Sequence, residues 1–263
     1  MKASLIQLEI KEGEPHEELI ERVFGLIDGC RGSDMIVLPE LWHIGILSYR
    51  TIRNFAEDKE GPLMSRLSDK ARELGAFIHC GSFVHKEGDK MFNTSILFDR
   101  KGTDVAEYRK IHLFSCYGRE ADFFTHGTKP AVADTEFGKL GLAVCYDIRF
   151  PELFRMMTFG MGAEMFIVPA AWPYPRATAF KMLNRVRAME NSAYLLSCNL
   201  IGPYRHLSMV GESGIIDPWG EMVTEAIPEE GTVKGEVFSE TVRQTRREFP
   251  VFDDVRLIDS VFK

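Results

Sequence analysis

The stretch Gly141-Leu-Ala-Val-Cys-Tyr-Asp-Ile-Arg-Phe-Pro-Glu152 holds the sharpest change of pattern in the chain. Leu142, Ala143 and Val144 read as the end of a buried strand that reaches Cys145. Pro151 suits the first turn of a helix, where its missing N–H costs nothing. A strand that gives way to a helix within a few residues indicates α/β layering. A thiol at this junction lies near free backbone N–H groups and the positive end of a helix. Both favour thiolate and are expected to lower the Cys145 pKa, the condition for a nucleophile. The plain alternative is a buried, inert cysteine, the reading given to Cys30, Cys80, Cys116 and Cys198.

Working outward, the same alternation recurs. Ala3–Ile10 reads as strand, His16–Arg31 as helix, Met35–Leu38 as strand and Leu63–Leu74 as helix. Ala76–Val84 and Phe92–Phe98 read as strands joined by the polar turn Lys86–Lys90, and Thr103–Tyr108 is strand-like. Lys139–Cys145 is a strand, Glu152–Phe159 a helix, Met165–Val168 a strand, Thr178–Asn191 a helix and Tyr194–Asn199 a strand. Short strands at Gly214–Ile216 and Glu221–Thr224 flank the turn Asp217–Gly220. Periodicity of this kind identifies an α/β protein without counting its sheets.

Three residues are candidate partners of Cys145. Glu40 follows the apolar run Ile36–Leu38 and is wedged among Pro39, Leu41 and Trp42, surroundings that raise a carboxyl pKa toward that of a general base. Lys110 follows a strand-like segment. It is either a surface lysine or an ammonium that stabilises an oxyanion in a dry site. Glu120, ten residues on, is an acid placed to hold that ammonium.

Leu38-Pro-Glu-Leu-Trp42, Tyr108-Arg-Lys-Ile-His-Leu-Phe114 and Cys145-Tyr-Asp-Ile-Arg-Phe-Pro-Glu-Leu153 together resemble the nitrilase superfamily of carbon–nitrogen hydrolases and its Glu-Lys-Cys triad. Pro169-Ala-Ala-Trp-Pro173, Arg187-Ala-Met-Glu-Asn191, Gly214-Ile-Ile-Asp-Pro218 and Arg246-Arg-Glu-Phe-Pro250 extend the resemblance over nearly the whole chain. It implies a four-layer αββα sandwich forming one carbon–nitrogen hydrolase domain over 1–263, with 248–263 as a C-terminal arm. It also implies catalytic roles for Glu40, Lys110 and Cys145, with Glu120 as the second glutamate, no cofactor or metal, and a homodimer or higher homo-oligomer. Tyr-Asp-Ile-Arg-Phe-Pro-Glu after the cysteine looks like the ω-amidase and deaminated-glutathione-amidase type. The expected activity is therefore hydrolysis of a small carboxylate-bearing ω-amide to acid and ammonia through a Cys145 thioester. A nitrilase or N-carbamoyl hydrolase on the same triad is the alternative, as is a catalytically silent binding member of the fold.

The composition bounds the rest. The 263 residues carry a net charge of −7, with 45% hydrophobic and 27% charged residues, an ordinary balance for one soluble globular body. Its basic residues are dispersed among acids, so no nucleic-acid footprint is expected. Five widely spaced cysteines without a Cys-x-x-Cys pair fit a reducing compartment. With no signal peptide and no apolar run of membrane-spanning length, no membrane contact and a cytoplasmic location are expected. The seven histidines lack metal-ligand spacing, and His112 reads as a supporting residue. Trp172 is a candidate pocket wall or a loop-packing side chain. Tyr146 offers a backbone N–H to an oxyanion. Arg149, Arg176 and Arg205 are candidate cations for an acidic substrate, Arg149 reading more readily as the ion-pair partner of Asp147 or Glu152. Trp42–Gly61 and Gly202–Glu212 are the expected substrate-selecting rim.

Overall fold

The structure is a computed structural model that describes residues 1–44, 52–116, 120–204, 206–224 and 226–256. In chain order the strands are β1 (Lys2–Glu9), β2 (Met35–Val37), β3 (Phe77–His79), β4 (Phe83–Glu87), β5 (Lys90–Phe98), β6 (Asp104–Arg109), β7 (Ala131–Thr135), β8 (Gly138–Leu142), β9 (Met165–Ala170), β10 (Tyr194–Tyr204), β11 (Leu207–Val210), β12 (Gly214–Ile216) and β13 (Gly231–Glu236). The helices are α1 (His16–Asp28), α2 (Pro62–Leu74), α3 (Glu120–Phe123), α4 (Pro151–Arg155), α5 (Ala177–Glu190) and α6 (Ser239–Glu248).

The first sheet runs β6-β5-β3-β2-β1-β13, with β4 beside β3 on the same edge of β5. The second runs β7-β8-β9-β10-β12. The ends of β1 and β10 pair in parallel at Leu8–Leu200 and Glu9–Ile201, which joins the two sheets.

Side-chain alternation separates the layers. Ala3 and Leu5 of β1, Met35 and Val37 of β2 and Leu97 of β5 share one buried cluster with Leu140, Leu142, Ile167 and Leu196 of the second sheet, so the sheets face each other. Their neighbours Ile6, Leu8, Ile36, Ile96 and Phe98 turn the other way. They pack on Leu19, Val23 and Ile27 of α1 and Met64, Leu67 and Ala71 of α2. Phe154 of α4 and Phe180 and Ala188 of α5 belong to the second sheet's cluster. The order is helices, sheet, sheet, helices: the expected four-layer αββα sandwich.

The structure corrects several expected boundaries. Ala76–Val84 is two strands, not one, because the chain bends at Gly81 (φ +70°). A Cβ at Gly81 would lie 1.9 Å from the Pro39 carbonyl oxygen, so only glycine permits this crossing. The strand expected to reach Cys145 ends at Leu142, and Cys145–Arg149 is a 3₁₀ turn. The helix expected over Glu152–Phe159 is α-helical only through Arg155, with a π-helical turn over Met156–Gly160. Glu221–Thr224 is not a strand; only Met222 bridges to Ile216. The expected rim loop at Gly202–Glu212 is largely a hairpin, with β10 extended to Tyr204 and paired with β11. Of the C-terminal arm, Phe252 packs against Phe159 with the rings tilted and their centroids 4.8 Å apart.

Candidate active site

In open α/β sheets, sites form beyond the carboxyl ends of parallel strands. Here β2 leads to Glu40, β8 to Cys145 and β9 to Ala171. Strand β6 runs antiparallel to β5, which runs antiparallel to β3, so β6 delivers Lys110 to the same end. All four expected catalytic residues converge there, behind the surface: Glu40 is 0% exposed, Lys110 1%, Glu120 2% and Cys145 7%.

The Lys110 ammonium donates to Glu40 Oε1 at 2.7 Å and to Glu120 Oε1 and Oε2 at 2.9 and 3.0 Å. The surface-lysine alternative is therefore removed. Glu40 Oε2 accepts the Ala171 backbone N–H at 3.1 Å, which ties the base candidate to the end of β9 in the other sheet. Glu120 Oε2 accepts the Phe114 N–H at 2.6 Å. The buried Cys145 thiol lies close enough to Glu40 and Lys110 to feel both charges. Cys145 (φ +46°) and Leu41 (φ +44°), the latter directly after Glu40, hold left-handed backbone conformations unusual for residues other than glycine. Strain of this kind gathers where the surrounding structure fixes a side chain's direction.

The electrostatics agree with expectation for Glu40 and overturn it for Cys145. Burial raises the Glu40 carboxyl, with the Lys110 charge opposing and Glu120 reinforcing. Burial works against the Lys110 charge, but Glu120 and Glu40 outweigh it and hold the ammonium well above the usual lysine range. The Cys145 thiol is pushed up, not down: first by burial, then by the Glu40 charge, with Lys110 only partly compensating. The short 3₁₀ turn does not offset an interior that already holds two carboxylates and one ammonium.

Sequence reasoning missed two members of this assembly. Asn93, on β5 and 1% exposed, donates through Nδ2 to Glu40 Oε1 at 2.9 Å and to Glu120 Oε1 at 3.0 Å. Its signal was the polar run Asn93-Thr94-Ser95 inside an otherwise apolar strand. Asp147, fully buried, accepts the Val144 N–H at 2.9 Å, the Tyr108 hydroxyl at 2.8 Å and the His112 N–H at 3.0 Å. The His112 ring contacts it as well, Nδ1 to Oδ1 at 2.7 Å, and stacks on Phe150. One carboxylate thus fastens the Cys145 turn to the segment that carries Lys110, and His112 faces that carboxylate.

The substrate-side candidates form an outer cluster. Arg149 makes no ion pair among the described residues, contrary to the pairing with Asp147 or Glu152 expected for it. Its guanidinium lies 4.9 Å from the Trp172 ring centroid and 6.0 Å from that of Tyr146. Arg176 lies over Phe114, 5.5 Å from the ring centroid, and Phe114 meets Tyr146 edge-on. Trp172 is buried and donates its indole N–H to the Arg176 carbonyl, so it packs the loop and supports Arg149 with its ring face. Arg205 and residues 45–51 of the expected rim lie outside the described residues. Among the described residues no group of three His, Cys, Asp or Glu side chains is arranged to hold a metal ion, and no helix is long and apolar enough to cross a membrane.

Comparison with known proteins gives a consistent picture. The sequence profile of the family described as carbon-nitrogen hydrolase matches residues 2–247. The 2-oxoglutaramate amidase of Paenarthrobacter nicotinovorans is 34% identical over 264 residues, covering 97% of this chain and 90% of the relative. That of Bacillus subtilis is 33% identical over 253 residues, covering 96% of each. Among solved structures, Saccharomyces cerevisiae Nit3, a member of branch 10 of the nitrilase superfamily, superposes with a TM-score of 0.85 at 28% identity over 95% of this chain and 94% of that one.

Proposed function

The chain belongs to the carbon–nitrogen hydrolase family and is an amidase by that kinship; we propose that it hydrolyses a small ω-amide bearing a carboxylate, of the 2-oxoglutaramate or succinamate kind, with Cys145 as nucleophile. The observation that carries this reading is the buried cluster in which the Lys110 ammonium bonds both Glu40 and Glu120, with the buried Cys145 thiol close enough to feel the Glu40 and Lys110 charges.

Glu40 takes the thiol proton as the sulfur of Cys145 attacks the amide carbon. Charge conservation favours this order. A free thiolate beside the Glu40 and Glu120 acids would add negative charge to a buried site. Transfer of the proton to Glu40 leaves the total unchanged in a site where added charge is expensive. The carbonyl oxygen becomes an oxyanion facing the backbone N–H of Tyr146, in the first turn of a helical segment where N–H groups lack intrahelical acceptors. Once Glu40 is neutral, its hold on Lys110 weakens and the ammonium turns toward the oxyanion. Collapse breaks the C–N bond, and the proton on Glu40 leaves with ammonia. Glu40, again a carboxylate, takes a proton from water as the water oxygen attacks the thioester. That proton returns to sulfur when the acid departs. Glu120 holds Lys110 throughout.

Arg149 and Arg176 support the acidic substrate. Neither has a carboxylate partner among the described residues, and both lie over aromatic rings around Tyr146. A protein of net charge −7 that admits an anion needs such local cations. The names of the two bacterial relatives point to the same substrate class. The test is ammonia release from ω-amides of dicarboxylic acids, simple aliphatic amides, nitriles and carbamoyl compounds, with Cys145→Ala as control. Cys145-dependent release is expected from the ω-amides, and release from nitriles or carbamoyl compounds alone would overturn the substrate assignment.

A further inference from the structure

Asn93 Nδ2 and Lys110 Nζ each donate to the same two oxygens, Oε1 of Glu40 and Oε1 of Glu120, closing a ring of two acceptors and two donors. Both protons of the Asn93 amide are used in this way. The orientation is chemically determined, since the opposite one would aim the amide oxygen at two carboxylates. The amide oxygen Oδ1 is then left buried with no partner among the described residues. An orphaned carbonyl is costly, and an apolar side chain of the same size would avoid it. Asparagine at this position therefore works against the stability of the strand unless its amide protons do something that the site needs.

We propose that Asn93 is a positioning residue that holds Glu40 apart from Glu120 and keeps it ionised, so that the base is ready before the amide arrives. The inference rests on Glu40 acting as the base. Two carboxylates that share one ammonium in a dry site tend to share a proton as well, and a protonated Glu40 has no capacity to accept one from the thiol. The groups facing Glu40 are Lys110 from the end of β6, Glu120 from α3, Cys145 after β8, the Ala171 N–H after β9 and Asn93 from β5. Lys110 supplies the only positive charge among them. Asn93 supplies the remaining donor that reaches both acids without adding a further titration. A hydrogen bond to the ionised form favours that form, so loss of the amide protons makes Glu40 easier to protonate.

The test is the pH profile of kcat/KM on the ω-amide turned over by the wild type. Asn93→Leu matches the volume and removes the donors, Asn93→Ser retains one hydroxyl donor, and Asn93→Asp adds a third acid. The ascending limb is expected to move up by about one pH unit or more in Asn93→Leu, giving a roughly tenfold loss below the limb and recovery toward wild-type rates above it. Asn93→Asp is expected to move it further and Asn93→Ser less. A constant fractional loss at every pH, or no change, would overturn the proposal. If Asn93→Leu fails to fold, Asn93→Ser carries the same test. A wild type whose turnover does not require Cys145 or Glu40 overturns the underlying mechanism, whatever the Asn93 variants do.

Discussion

Lys110 is the residue on which both carboxylates of the site depend. Removing one partner from a buried ionic cluster leaves uncompensated charge, which typically costs ~3–5 kcal/mol, and losing an oxyanion stabiliser costs ~10²–10³ in rate. Lys110→Met, close in volume but uncharged, is therefore expected to lose both stability and turnover, each by about these amounts. Urea unfolding and steady-state rates on the same preparation check this, and a variant close to wild type in either measure would contradict the assigned role. Glu40 and Cys145 were visible in the sequence because each follows an apolar run, whereas Lys110, after the largely exposed or half-exposed β6, stood out only through the family resemblance. Asn93 and Asp147 escaped notice because their importance lies in what they touch. Asn93 reaches acids 53 and 27 positions away, and Asp147 reaches Tyr108 39 positions away. The polar run at Asn93 marks the strand as unusual, but no local pattern says which distant acids it meets. The thiol shift was misjudged for the same reason: the charge of Glu40, 105 positions earlier by subtraction of the residue numbers, adds to burial and outweighs the local turn.

At the scale of elements, the break between β3 and β4 does more than interrupt a strand. It allows the backbone at Gly81 to lie against Pro39, immediately before Glu40. The Ser82 N–H and the Ser82 carbonyl then bond the Pro39 carbonyl and the Leu41 N–H on either side of that glutamate. Gly81→Ala would force a Cβ into a backbone oxygen at 1.9 Å and hold alanine at positive φ. Left-handed backbone costs about 1–2 kcal/mol and overpacking typically 1–3 kcal/mol more. A destabilisation of about 3 kcal/mol is expected, with a fall in turnover larger than the stability loss explains because Glu40 moves. A variant with lowered urea midpoint and intact kcat would show that Glu40 does not depend on this crossing. The sequence placed most elements within a few residues, since β1, α1, α2, β9 and α5 bury a regular apolar face. It missed β7, β13 and α6, whose residues are largely exposed or half-exposed. In α6 only Val242 and Thr245 are buried, too few to mark a helical stripe.

Across the whole molecule, the αββα layering was legible only through family resemblance, because strands buried on both faces look alike in whichever sheet they lie. That double burial also gives the fold a dependence on pH. His79 in the sheet interior and His43, near His16 of α1, are buried, and burial pushes both down to about 3. In the unfolded chain they return to about 6.5. A group whose folded value is depressed stabilises the fold fully above its unfolded value. That stability is lost progressively as pH falls from about 6.5 toward 3, because the unfolded chain takes up the proton first. Glu40 and Glu57, raised by burial, act in the opposite sense and mask part of the effect. A difference measurement isolates it. His43 has no hydrogen-bond partner for either ring nitrogen among the described residues, so His43→Leu breaks none of the described bonds and removes one titration. Unfolding free energies between pH 6.5 and 5 should fall less steeply in His43→Leu than in wild type, the difference in slope growing from about half to nearly all of ~1.4 kcal/mol per pH unit, the worth of one proton. The stability of the variant relative to wild type should therefore rise as the medium is acidified from pH 6.5 to 5. Parallel slopes would mean that His43 already carries its proton in the folded protein, and the packing against α1 would then have to accommodate a buried imidazolium.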